Sequence, residues 1–100
     1  MGEPGAEAQR LDAWLWCARL RKTRADCARV IESGAVRINR QPTDKAHARV
    51  RVGDVLTIAQ GSGESGRIAV WRVLALAERR GPVAEARGLY EDLTEGGGVG

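Results

Sequence analysis

The side chains able to do chemistry in this sequence are cationic, and they are gathered in one stretch. Residues 10–51 hold eleven Lys/Arg against four Asp/Glu, a balance of +7, whereas residues 1–9 and residues 52–100 each carry −2. The whole chain is only +3, so the net figure hides the asymmetry. One sign of charge concentrated in this way suits a polyanionic partner. Arg10, Arg19, Arg21, Lys22 and Arg24 come first, followed by Arg29, Arg37, Arg40 and Lys45. Thr23 and Asn39 lie among them, with polar groups that can hydrogen-bond a phosphate or a ribose 2′-hydroxyl. Arginine suits this task because its planar fork can hold two oxygens at once.

Other chemistries find little to work with. There is one histidine, His47, and there are two cysteines, Cys17 and Cys27, with no C-x-x-C spacing to suggest zinc. A single histidine cannot be built into a nucleophile–base–acid arrangement by spacing. The glycine-rich run GSGESG at 61–66 lacks the Lys-Ser/Thr ending of a phosphate loop and reads as a hairpin connection. Glu91-Asp92 reads as the solvated face of a terminal helix. No catalytic residue, metal ligand, cofactor or small-molecule substrate is therefore expected, and the protein reads as a non-enzyme. Both cysteines fall in helical stretches and read as small buried hydrophobes. The longest apolar run, residues 73–77, is far too short to cross a membrane, and no signal segment opens the chain. A cytoplasmic monomer with no membrane partner is the expectation.

The elements that position the cations can be read from periodicity. Leu11, Trp14, Leu15 and Ala18 follow the i, i+3, i+4, i+7 spacing of an amphipathic helix, which leaves Trp16 off the stripe. Arg19, Arg21 and Lys22 close it, and Thr23 reads as the N-cap of a second helix. Cys27, Val30 and Ile31 form that helix's apolar stripe, and Gly34 reads as its C-terminal glycine. The period then changes to two. Residues 35–39 alternate, residues 40–45 read as a loop in which Pro42 prevents regular pairing, and residues 49–52 alternate again. Gly53-Asp54 is a turn, residues 55–59 and 67–76 are strands, and Pro82 opens a short helix reaching about Leu93. Residues 1–9 and the glycine-rich 95–100 read as tails flanking one domain over residues 10–94. Arg72 and Arg79-Arg80 read as strand-edge and helix-entry charges.

Several motifs in this order are familiar. Arg10-Leu11-Asp12, Lys22-Thr23-Arg24, residues 31–34, Val36-Arg37-Ile38-Asn39 and Val52-Gly53-Asp54 resemble the RNA-binding domain named after ribosomal small-subunit protein S-four, the alpha-L motif. With Ala13-Trp14-Leu15-Trp16 and Leu89-Tyr90-Glu91 added, residues 10–94 are similar to the fifteen-kilodalton heat-shock proteins of bacteria. The resemblance implies an α+β fold, two antiparallel helices packed on a small, mainly antiparallel sheet. It implies binding to structured RNA, ribosomal RNA or tRNA, on large ribosomal subunits that carry a stalled nascent chain. Two departures are visible. Asn39-Arg40 stands where the family often has Asn-Gly, which weakens the argument for a tight turn, and the long basic C-terminal helix of those relatives has no counterpart in residues 95–100.

Two other readings compete. Residues 10–33 alone fit a DNA-binding helix-turn-helix, whose second helix would enter a major groove. The basic face would also suit an acidic protein partner. The basic outward positions after residue 35 favour a broad RNA surface over either.

Overall fold

The computed structural model describes residues 7–60 and 67–94; the predicted 61–66 connection, the 95–100 tail and most of the 1–9 tail lie outside them. Gln9–Arg10 forms a short strand, β1, leading into α1, Leu11–Cys17. The predicted stripe is buried: Leu11, Trp14 and Leu15 are fully covered and Ala18 nearly so. The helix stops earlier than the cluster of bases suggested. Arg19 adopts a left-handed φ of 66°. The Leu20 amide then donates to Leu15 O and the Arg19 amide to Trp16 O, the paired bonds of a Schellman ending in which glycine is usual.

Thr23 caps α2, Arg24–Glu32, by accepting the Asp26 amide at 3.0 Å. Gly34, at φ 86°, closes it with a second Schellman ending. Cys27 and Ile31 face α1 and the core. Both cysteines are buried free thiols, and burial pushes both above the ordinary thiol range.

The remaining strands are β2 (Val36–Ile38), β3 (Gln41–Thr43), β4 (Arg49–Val50), β5 (Val55–Gln60), β6 (Arg67–Val73) and β7 (Tyr90–Asp92), with α3 (Val83–Arg87) before the last. Five of them make one sheet in the order β3-β2-β5-β6-β7, every pair antiparallel, while β1 and β4 pair by themselves. Helices on a mainly antiparallel sheet are the α+β architecture the resemblance implied. Between them lies a core that includes Val36, Leu56, Ile58, Trp71 and Val73 from the sheet.

Three details correct the sequence reading. Residues 41–43 pair with β2 despite Pro42, because β3 is an edge strand and an edge tolerates a missing donor. The β2–β3 turn is tight after all: Asn39 and Arg40 sit at φ 51° and 75° between the paired Ile38 and Gln41, the signs a type I′ turn requires. The terminal helix ends at Arg87, not near Leu93. Residues 90–92 extend the sheet instead, and Glu91 pairs across strands with Arg72 at 3.1 Å.

Candidate nucleic-acid interface

The centre of the basic stretch is organised by one acid. Asp12, in the first turn of α1, is only 4% exposed. Its carboxylate accepts from Arg10 Nε at 3.1 Å and Arg10 Nη2 at 3.0 Å, and from Arg24 Nη2 at 3.4 Å. Burial alone would raise its pKa. The hydrogen bonds and charges of Arg10 and Arg24 outweigh that, leaving it below the ordinary carboxylate value. Two guanidiniums thus share one carboxylate, and an excess positive charge remains on half-exposed side chains. Arg24 stands at the N-terminus of α2, where the helix dipole disfavours a cation, and Asp12 offsets that. Arg49 adds to the density: it lies directly across from Arg10 in the β1–β4 pair, where like charges repel. Its place among alternating residues 49–52 was a usable signal that sequence reasoning passed over.

Around this centre the predicted cations divide. Lys22 and Thr23 lie exposed in the link between the helices. Thr23 Oγ1 accepts the capping bond and keeps its own hydroxyl hydrogen to donate. Arg29 is exposed farther along α2 and ion-paired to Asp26. Arg37, Arg40 and Lys45 are exposed on or just beyond the β2–β3 hairpin, with Lys45 3.8 Å from Asp44. Among the described residues no hydrogen bond or ion pair ties the hairpin cations to those of the helices. Asn39 is committed to the fold: its Nδ2 donates to Asp54 Oδ1 at 3.0 Å and its Oδ1 accepts the Val55 amide at 2.9 Å. It fastens the hairpin turn to the Gly53-Asp54 turn.

The Arg19 side chain and the Arg21 carbonyl meet the other end of the chain. Arg19 Nε donates to Gly81 O at 3.0 Å. Arg80 comes to meet them, its guanidinium donating to Trp16 O and Arg21 O and lying 5.8 Å from the Trp16 ring centroid. Trp16, half-buried, is therefore packed on a cation of its own chain. Nothing local in the sequence marks Arg80 as a neighbour of Trp16 and Arg21, which lie 64 and 59 positions away.

A family model for the S4 domain matches residues 9–56 of this chain. Heat shock protein 15 of Escherichia coli K12 is 42% identical over 95 residues, covering 95% of this chain and 68% of that protein. The chain belongs to the heat shock protein 15 family. A homolog from Haemophilus influenzae is 40% identical over 83 residues, which is 60% of its length. The trimeric structure of Vibrio cholerae heat shock protein 15 superposes with a TM-score of 0.75 at 32% identity, covering 86% of this chain and 82% of that one. Among the described residues no helix is long and apolar enough to cross a membrane, and no three His, Cys, Asp or Glu side chains are grouped to hold a metal. Arg10, Asp12, Lys22, Thr23 and Arg24 all fall within the stretch matched by the S4 model.

Proposed function

We propose that this protein is a non-catalytic RNA-binding factor that grips structured ribosomal RNA or tRNA on the large ribosomal subunit, in the rescue of stalled nascent-chain complexes. The observation that carries the reading is the pair of guanidiniums, Arg10 and Arg24, held by the buried Asp12. A buried carboxylate fixes the direction of both forks at no cost to their outer N–H groups, which are left for phosphate oxygens. Lys22, the Thr23 hydroxyl and the hairpin cations Arg37, Arg40 and Lys45 extend the contact area. Membership of the heat shock protein 15 family and the S4 domain support an RNA partner. The test is a sucrose-gradient profile of tagged protein from cells with and without induced ribosome stalling. Co-sedimentation with free large subunits, increased by stalling and abolished by ribonuclease, is expected. Protein that stays at the top of the gradient in both conditions overturns the reading.

A further inference from the structure

Beside the helix link runs an open groove whose other wall is α3. Arg19, Arg21, Lys22, Arg80 and Arg87 line it, and among the described residues none of them has a carboxylate within ion-pair distance. Glu85, on α3, is folded over Gly81 and joins no ion pair among the described residues. Three of the guanidiniums are nevertheless oriented, by backbone carbonyls: Arg19 by Gly81, Arg21 by Leu20, Arg80 by Trp16 and Arg21, while Arg87 has no hydrogen bond among the described residues. Arg19 keeps its long side chain at a left-handed φ where glycine would be less strained.

The floor has a different character. Ala18 and Ala86 are buried there, beside the stacked pair of Trp71 and Tyr90, whose ring centroids are 4.0 Å apart. The Tyr90 hydroxyl has no hydrogen-bond partner among the described residues, and Val83 stands half-exposed at the rim. An apolar and aromatic floor offers nothing to a phosphate but suits the flat face of a base. The rim offers nothing to a bare apolar ligand but suits a phosphate. A duplex is too wide to put its bases into such a groove, whereas one splayed-out residue can enter it.

We propose that this groove is a subsite for a single unpaired nucleotide, its base against the Val83–Tyr90 surface and its phosphate on the Arg80 and Arg87 side chains. The inference rests on the RNA-binding reading above and adds a preference for a helix flanked by a single strand. It is tested with two RNA probes, a blunt hairpin and the same hairpin carrying a three-nucleotide 3′ extension that contains 2-aminopurine. The extended probe is expected to bind at least about five-fold more tightly than the blunt one, as one stacked base would give, with quenching of 2-aminopurine on binding. Arg87→Ala and Val83→Glu alter exposed positions outside the Asp12 centre. Each should erase the advantage of the extension and leave blunt-hairpin affinity and the thermal melt unchanged. Equal binding of both probes by the unaltered protein overturns the subsite while leaving RNA binding in place. An advantage that survives both substitutions also overturns it. Failure to bind either probe removes the RNA reading and the subsite together.

Discussion

Asp12 and Arg24 lie twelve positions apart and meet at 3.4 Å where α1 passes α2. The contact places a cation at the start of a helix, against the dipole, and compensates it from a neighbouring element. It makes the basic centre and the helix packing one structure, so substitutions there are read out in both binding and stability.

The first consequence concerns acid. The folded-state pKa of Asp12 lies below its ordinary 3.8. Its contribution to stability is therefore complete above that value and is lost as pH falls through the folded pKa. Urea unfolding should show the unaltered protein losing stability below about pH 4, with Asp12→Asn less stable at neutral pH and losing less on acidification. Curves that fall in parallel would assign the acid sensitivity to another group.

Lys22→Ala with Arg24→Ala should weaken binding to large-subunit ribosomal RNA by at least about 2 kcal/mol, using ~1.5–3 kcal/mol per charge-assisted bond discounted for exposure. Arg24→Ala leaves Asp12 to Arg10 alone, and a half-exposed pair of this kind should cost about 0.5–1 kcal/mol of stability. Arg80 leans on the helix link and is no neutral comparator. Arg67→Ala with Arg72→Ala, on β6, serves instead and should weaken binding less. Equal losses from the two pairs in titrations at one salt concentration would place the site elsewhere.

If about five phosphates are neutralised, log affinity should fall with log salt at a slope of roughly −3.5 to −4.5. Titration of a structured ribosomal RNA fragment at several salt concentrations gives the slope. A nearly flat line contradicts a phosphate-based interface.

Arg40 occupies the second left-handed position of the β2–β3 turn, at φ 75°. Arg40→Gly should relieve roughly 0.5–1 kcal/mol of strain and raise the melting temperature, while weakening RNA binding by removing an exposed cation. A stabilised variant with unchanged affinity would mean that Arg40 makes no phosphate contact.

What was legible in the sequence was local. The apolar stripe of α1, the Thr23 cap and the Gly34 ending depend on residues within one or two helical turns, and all stand where periodicity put them. The end of α1 was missed because Arg19 takes a conformation for which only glycine leaves a mark. The β3 strand was missed because Pro42 excludes a central strand but not an edge, and edge or centre is a property of the whole sheet. Residues 90–92 became a strand because β6 had an open edge there. The basic residues of the helix pair were visible from their types. The arrival of Arg80 beside Trp16 was not, since no spacing rule connects positions 64 apart.

The same distance has a consequence for the order of synthesis. Trp14 Nε1 donates to Ala75 O, Gln9 exchanges two bonds with the Ala77 backbone, and Arg19 reaches Gly81 O, spans of 61 to 68 positions. Residues 9–56, the stretch of the S4 match, therefore leave these partners unfilled until residues 75–81 have been made. A chain emerging from its own ribosome carries a bare indole N–H and an unfinished tryptophan cluster until residue 90 is out, when Tyr90 can stack on Trp71. These long loops can close only after residues 75–81 have been made. Such non-local closure is slow, and it makes this protein while it is being made a transient holder of exposed aromatic surface.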